Sequence, residues 1–87
     1  ERTRATGKGA WVRAALEKLG GRTRAEQGCI QYDLHVDNEN VGIFVFYETW
    51  ETRDLWQAHM NAPHLAQYMA STDGMVENFD LNEMTKI

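Results

Sequence analysis

Apolar residues in the first part of the chain recur at helical spacing. Between Ala10 and about Glu26 they form one stripe with the i, i+3, i+4, i+7 pattern, made of Val12, Ala15, Leu16 and Leu19. The pattern predicts an amphipathic helix that packs on a core along this stripe. Gly20 and Gly21 lie inside it, and each glycine in a helix costs about 1 kcal/mol relative to alanine, so we expect a bend or a frayed turn there. Gly28 is expected to stop the helix.

Two strands follow, joined by a turn. The first alternates from Cys29 to Val36, with Ile30, Tyr32, Leu34 and Val36 on one face and Cys29, Gln31, Asp33 and His35 on the other. The second is predicted from about Gly42 to Glu51, a segment rich in β-branched and aromatic residues. Asp37 to Asn40 has the composition of a turn. With a four-residue loop, this hairpin pairs His35 with Phe44 and Gln31 with Glu48.

Both strands of the hairpin carry apolar side chains on both faces. A strand of this kind is covered on both sides. Helices can cover one face, and in a chain of 87 residues the other face is best covered by a second copy of the chain. The pattern therefore predicts a homodimer.

The remaining segments complete an alternating order of strands and helices. Thr52 is expected to cap a helix that carries Leu55, Trp56, His59 and Met60, and Asn61 to cap a further helix with the stripe Leu65, Ala66, Met69 and Ala70. Residues 1–6 have the weak strand character of a truncated first strand, and a last strand is predicted around Phe79 to Ile87. The order strand, helix, strand, strand, helix, strand predicts an α+β domain with the split βαβ arrangement of ferredoxin-like antiparallel sheets.

Composition and charge narrow the function classes. The 87 residues fit one domain, residues 1–87. The net charge of −4 argues against a nucleic-acid surface, which needs a basic patch, and no apolar run approaches the roughly 20 residues that span a bilayer. We expect a cytoplasmic protein, since the single cysteine, Cys29, excludes an intrachain disulfide.

Spacing along the chain suggests no ligand set for a metal or cofactor. Residues 7–9, Gly-Lys-Gly, are typical of a turn, because they lack the spacing and the Ser or Thr of a phosphate-binding loop. His59 and His64 lie five residues apart across a helix break, and no carboxylate pair has ligand spacing. We therefore expect no metal, haem or flavin.

Two stretches of the chain resemble a known family. The first is residues 23–35, TRAEQGCIQYDLH, where the first helix leads into the second strand. The second is residues 47–51, YETWE, followed by His59 and then by Pro63 and His64. In this order and spacing they resemble the antibiotic-biosynthesis-monooxygenase family, which includes quinol and anthrone monooxygenases.

The resemblance implies both a fold and a chemistry. The fold is a dimeric α/β barrel with a pocket between each sheet and its helices. The chemistry is oxidation of a small quinol or polycyclic phenol with O₂ and without a metal, flavin or haem cofactor. In haem-degrading relatives the second helix carries an axial histidine, and that position falls near Met69 here, which argues against haem. Fold alone does not choose among the activities of the family.

His59 is the candidate catalytic residue. It lies on the predicted buried side of its helix, where a neutral imidazole can accept a phenolic proton, and the resulting phenolate passes an electron to O₂ more readily than the phenol does. A histidine satisfied within the core is the alternative. The candidate substrate-binding residues are polar or aromatic side chains near the predicted pocket: His35, Glu48, Trp50, Trp56, His64 and Tyr68.

Two other functions stay open at this point. In a non-catalytic binding or stress-response subunit, Phe44 and Phe46 would fill the pocket. In an isomerase-like or hydrolase-like enzyme, the same histidines would act on a carbonyl compound. A cavity beside His59 would favour an enzyme over a binding subunit.

Overall fold

The computed structural model describes residues 1–87 as a four-stranded antiparallel sheet with three helices. In chain order the elements are β1 (Arg2–Ala5), α1 (Gly9–Thr23), β2 (Cys29–Val36), β3 (Ile43–Trp50), α2 (Arg53–Met60), α3 (Pro63–Ser71) and β4 (Val76–Asp80). The strand order is β2-β3-β1-β4. The ferredoxin-like α+β fold predicted from the order of elements is confirmed. None of the helices has the length and hydropathy needed to cross a membrane.

The core lies between α1 and the sheet, and α3 completes it. Its buried members come from α1, β2, β3 and α3: Val12, Leu16, Leu19, Tyr32, Phe44, Phe46 and Leu65. The first three belong to the predicted stripe, so the helical periodicity identified the buried face of α1 correctly. Fully burying one such side chain contributes about 1.5–3 kcal/mol, so this cluster accounts for much of the stability of a small domain.

The glycines near the end of α1 behave differently from the prediction. The helix continues through Gly20 and Gly21 and ends at Thr23, so the expected fraying at the glycines is wrong, and so is the stop at Gly28. A Cβ on the buried Gly20 would lie 3.4 Å from Phe46 Cε1 and 3.2 Å from a guanidinium nitrogen of Arg24. Glycine at this position therefore lets α1 lie close to the sheet, which offsets its poor helix propensity.

The β2–β3 hairpin has a register one residue away from the predicted one. His35 pairs with Val45 and Tyr32 with Glu48, so the predicted pairs with Phe44 and Glu48 are wrong. The reason is the loop, which extends through residue 42 because Asn40 Oδ1 accepts a hydrogen bond from the Gly42 N–H at 2.9 Å.

A bulge at the start of β2 changes which side chains face the core. The register shifts between Cys29 and Gln31, and Ile30, at the bulge, is 63% exposed. Tyr32 is fully buried and Leu34 packs against the core. Of the four residues predicted to share one face, Tyr32 and Leu34 face the core, whereas Ile30 and Val36 are exposed.

The two helices after β3 meet at a sharp break. Thr52 caps α2, as predicted, and its Oγ1 accepts a hydrogen bond from the Leu55 N–H at 3.2 Å. Asn61 does not cap α3. It follows the last residue of α2, its side chain donates to the Gln57 carbonyl at 3.0 Å, and Ala62 occupies the N-cap of α3.

The buried face of α3 differs from the predicted apolar stripe. Leu65 and Thr72 are buried and Tyr68 packs against the core, whereas Met69 is 64% exposed. Thr72 is accommodated inside because its Oγ1 donates to the Tyr68 carbonyl at 2.9 Å. Hydrophobicity alone misassigned this face, since locally satisfied hydroxyl groups can occupy buried positions.

The last strand is earlier and shorter than predicted. β4 covers Val76–Asp80 and pairs with β1, while residues 81–87 have no regular secondary structure. β1 lies between β3 and β4, so the weak strand character at residues 1–6 marks an interior strand of the sheet. The side chains of this strand therefore contribute to both faces.

The outer face of the sheet mixes polar and apolar side chains. The register places Arg2, His35 and Val45 in one row across it, and Asp33 and Tyr47 in the next. Val45 is 36% exposed and Tyr47 is 51% exposed. The prediction that the hairpin is apolar on both faces thus holds for a few positions of this face and not for its whole area.

Candidate functional site

Three separated segments converge at one end of the helices. Glu26 lies in the loop after α1, His59 in the last turn of α2 and His64 in the first turn of α3. The break between α2 and α3, with Pro63 as the first residue of α3, turns the chain so that the two imidazole rings lie 6.1 Å apart, centre to centre. The predicted helix break between His59 and His64 therefore brings the two histidines together.

A single carboxylate oxygen joins the two histidines. Glu26 Oε2 lies 2.6 Å from His59 Nδ1 and 2.8 Å from His64 Nε2. A carboxylate offers only acceptors, so each imidazole donates an N–H to it. Assigned from these partners, the neutral tautomers are His59 protonated at Nδ1 and His64 protonated at Nε2.

The second nitrogen of His59 is buried and has no hydrogen-bond partner. The His59 side chain is fully buried, and its Nε2 lacks a partner within hydrogen-bond distance. The ring packs against Trp50 at 5.0 Å and against Tyr32 at 5.5 Å between centroids. Since Nδ1–H faces Glu26, Nε2 carries a lone pair, and the carboxylate behind the ring would stabilise the imidazolium formed when Nε2 accepts a proton.

Two carboxyl groups lie beside this nitrogen. One ligand atom each of Glu1, Glu48 and His59 lie within 4.8 Å of one another. Glu48 Oε1 also accepts a hydrogen bond from Trp50 Nε1 at 3.0 Å. Burial, and next the nearby charge of Glu48, raise the pKa of Glu1 to about 7, against the opposing effect of the terminal ammonium. Glu1 therefore keeps its proton in mildly acidic solution.

The Tyr32 phenol and the Cys29 thiol, which lie near the site, stay protonated at neutral pH. Burial is the main cause that raises the pKa of Tyr32, with the charges of Glu1 and Glu48 adding to it. Burial likewise raises the pKa of the Cys29 thiol, helped by Glu26 and Glu48. Cys29 is partly buried, and its raised pKa makes it a poor nucleophile in this setting.

The predicted site residues divide into those near His59 and those elsewhere. Glu48, Trp50 and His64 gather around it, as described above. Tyr68 lies on α3 at the edge of the core, where burial, as the main cause, and the charge of Glu1 raise its pKa.

The remaining two predicted site residues lie away from the imidazole cluster. Trp56 lines a surface groove on α2, with the Arg53 guanidinium 5.6 Å from its ring centre. His35 is exposed on the outer face of the sheet, opposite Val45. The structure does not bring either side chain to His59.

Sequence reasoning missed three residues of this site: Glu1, Glu26 and Tyr32. Glu26 was assigned to the first helix, and its contact with His59 spans 33 positions of the chain. Spacing along the chain also gave no sign that Glu26, His59 and His64 offer ligand atoms within 4.8 Å of one another, as they do. The sequence feature that could have identified Glu26 is its position within residues 23–35, the first stretch that resembles the family.

Comparison with known proteins finds relatives along most of the chain. A family model described as antibiotic biosynthesis monooxygenase matches residues 3–71. Rv0793 of Mycobacterium tuberculosis, named as a candidate monooxygenase, is 36% identical over 59 residues, which are 68% of this chain and 57% of that protein. The uncharacterized protein sll1783 of Synechocystis is 26% identical over 54 residues, 62% of this chain and 37% of that protein. The matches thus span about half of one relative and about a third of the other.

Solved structures share the fold over nearly the whole chain. PA3566 from Pseudomonas aeruginosa has a TM-score of 0.93 at 25% identity, covering 99% of this chain and 88% of that chain. The structure of Rv0793 has a TM-score of 0.79 at 26% identity, covering 97% and 93%. A candidate antibiotic biosynthesis monooxygenase from Deinococcus radiodurans has a TM-score of 0.81 at 22% identity, covering 99% and 92%; at this identity the likeness concerns the fold alone.

Proposed function

Because this chain belongs to the antibiotic biosynthesis monooxygenase family, we propose that it is a monooxygenase that oxidises a small quinol or polycyclic phenol with O₂. One observation carries the proposal. The fully buried His59 presents an unpartnered Nε2, while its Nδ1 is held by Glu26 at 2.6 Å. This is the arrangement expected of a general base whose tautomer is set by a carboxylate.

The first step of the proposed reaction is proton transfer. A phenolic hydroxyl donates to His59 Nε2 and gives up its proton, and the Glu26 carboxylate stabilises the resulting imidazolium. The phenolate is then electron-rich enough to pass an electron to O₂. One oxygen atom of O₂ enters the product and the other leaves as water, so an anthrone, reacting through its phenolic tautomer, and O₂ give an anthraquinone and water.

The neighbours of His59 suit a flat aromatic substrate. The Trp50 ring, 5.0 Å from that of His59, offers an apolar wall. The Glu48 carboxylate, which the Trp50 N–H orients at 3.0 Å, can accept a hydrogen bond from a second hydroxyl group of a quinol. Because Nε2 is fully enclosed, substrate entry requires the side chains around it to move, which is common in sites that close over their substrates.

A second candidate function is a non-catalytic binding subunit. Phe44 and Phe46 are buried, and the Phe46 ring lies 4.2 Å from that of Tyr32. These side chains fill the space between α1 and the sheet, as the binding-subunit alternative requires. In that case His59 and Glu26 are a buried structural pair.

Oxygen uptake separates the two candidates. We expect the protein to consume O₂ with at least one member of a panel of quinols and anthrones, above the rate of their spontaneous oxidation. With ¹⁸O₂ and an anthrone, the product should gain one labelled oxygen atom. If no compound of a broad panel raises oxygen uptake above the background, the monooxygenase proposal fails, and equilibrium binding of the same compounds then tests the binding subunit.

We also propose that the protein is a homodimer that buries the outer face of the sheet. The exposed Val45 and Tyr47 lie at the centre of this face. Sedimentation equilibrium at micromolar concentration should give about 20 kDa, twice the 10.0 kDa of one chain. Tyr47→Glu places a charge in this interface and should give a monomer, whereas Ala14→Glu, on an exposed position of α1, should not. A wild-type monomer would contradict the proposal.

A further inference from the structure

Two acidic side chains on the sheet side of His59 have no ion-pair partner. Glu1 and Glu48 are partly buried and close enough for each to offer a ligand atom within 4.8 Å of His59. None of the ion pairs of the molecule includes either residue. Two neighbouring carboxyl groups that no basic side chain pairs with repel each other when both are ionised, and removal from water increases that cost.

The unpaired nitrogen of His59 is the second, independent feature of this place. A fully buried imidazole nitrogen without a hydrogen-bond partner is destabilising, because it has lost its contact with water and gained no other partner. His59 Nδ1 is occupied by Glu26, so Nε2 is the ring nitrogen that remains free for a ligand on the side of Glu1 and Glu48. A proton donor or a metal ion at this point would satisfy the nitrogen.

We infer that Glu1, Glu48 and His59 form a binding site for one divalent first-row transition metal ion such as Zn²⁺. The ligands would be His59 Nε2 and one oxygen of each carboxylate. Imidazole nitrogen combined with carboxylate oxygen suits such ions better than Mg²⁺ or Ca²⁺, which prefer oxygen ligands alone. Three protein ligands leave a coordination position for water or a substrate.

The surroundings already provide the outer partners that such a site uses. Metal-binding imidazoles commonly donate their other N–H to a carboxylate, as His59 does to Glu26. Glu48 Oε1 is held by the Trp50 N–H at 3.0 Å, which orients the carboxylate and leaves Oε2 for the ion. Ligand bonds of about 2.0–2.2 Å place tetrahedral ligand atoms roughly 3.4 Å apart, so the three atoms, now within 4.8 Å of one another, would move closer together around the ion.

The neighbouring cluster of Glu26, His59 and His64 is the weaker candidate. There Glu26 Oε2 already accepts two N–H groups, at 2.6 and 2.8 Å. A metal ion would have to displace both protons and break two charge-assisted hydrogen bonds. At the side of Glu1 and Glu48 no imidazole N–H has to be displaced, because His59 Nε2 has no hydrogen-bond partner.

The site goes beyond the proposed oxidation and can be tested apart from it. A metal ion and a phenolic hydroxyl would compete for His59 Nε2, so Zn²⁺ should inhibit oxygen uptake in competition with the substrate. Binding of the ion itself needs no substrate, and oxygen uptake can be measured with chelator-treated protein. Failure of the metal site is therefore distinguishable from failure of the proposed oxidation.

The experiment is a titration of the chelator-treated protein with Co²⁺, followed by its visible absorption and reversed by Zn²⁺. Wild type should saturate at about one ion per chain. Glu48→Gln and Glu1→Gln should each weaken Co²⁺ binding about 10- to 100-fold. His64→Gln should bind like wild type, and so should Glu83→Gln, which removes a carboxylate paired with Arg53. Circular dichroism would establish that each variant is folded.

Two results would overturn the inference. One is the absence of a saturable Co²⁺ spectrum up to millimolar concentration in folded wild-type protein. The other is binding that survives Glu48→Gln but is lost in His64→Gln, which would place the ion between Glu26 and the two histidines instead.

Discussion

Replacing His59 by asparagine is expected to lower quinol- or anthrone-dependent oxygen uptake about 10²- to 10⁴-fold, the usual contribution of a positioned general base. The asparagine amide can occupy the place of Nδ1 and keep the hydrogen bond to Glu26, which is 2.6 Å long in the wild type. It has no atom in the place of Nε2. The variant therefore loses the proton acceptor and keeps most of the contacts that hold α2 to the loop after α1.

The matched control is His64→Gln. A glutamine amide can take the place of His64 Nε2, which lies 2.8 Å from Glu26 Oε2, so the carboxylate keeps both of its donors. Oxygen uptake should then stay within about fivefold of wild type, since no reacting atom is removed. Steady-state oxygen-electrode measurements and thermal melts of both variants provide the comparison. A fully active His59→Asn together with an inactive His64→Gln would show that His64 is the base and that the assignment to His59 is wrong.

The elements of this fold were predictable because short-range periodicity determines them. The stripe of α1, the alternation of β2 and the Thr52 cap each depend on residues within a few positions of one another. The error in the hairpin register arose because one contact changed the length of the loop. A single Asn40 side chain extends the hairpin loop to Gly42, and a one-residue shift exchanges the faces of a strand.

The candidate site was predictable only in part, since its partners meet through long-range contacts. His59 was identified from its place on the buried side of α2, and Glu48 and Trp50 from the aromatic strand. Glu26 could not be paired with His59 from spacing, because the two residues are 33 positions apart. The tautomer of His59, and therefore the free Nε2, follows from that one contact.

The turn between α1 and β2 controls how closely α2 approaches this site. Gly28 has a φ of 84°, in the left-handed region that favours glycine. A Cβ at this position would lie 2.8 Å from Leu55 Cβ, closer than two carbon atoms can pack. The Gly28 carbonyl also accepts a hydrogen bond from the Glu51 N–H at 2.8 Å. Leu55 precedes His59 by one helical turn, so any movement of α2 at Gly28 also moves the imidazole.

Gly28→Ala is therefore expected to destabilise the protein by about 2–4 kcal/mol, of which about 1–2 kcal/mol comes from the left-handed backbone and the rest from overpacking against Leu55. In a domain of this size the melting temperature should fall by more than about 10 °C. Gly21→Ala is the control, because Gly21 lies in α1 with nothing within 4 Å of an added Cβ, and it should stabilise the protein by about 0.5–1 kcal/mol. Denaturant and thermal unfolding measure both changes. Equal stability of the two variants would show that α2 can move away from Gly28 at little cost. A folded Gly28→Ala variant with wild-type oxygen uptake would show that the position of His59 does not depend on this contact.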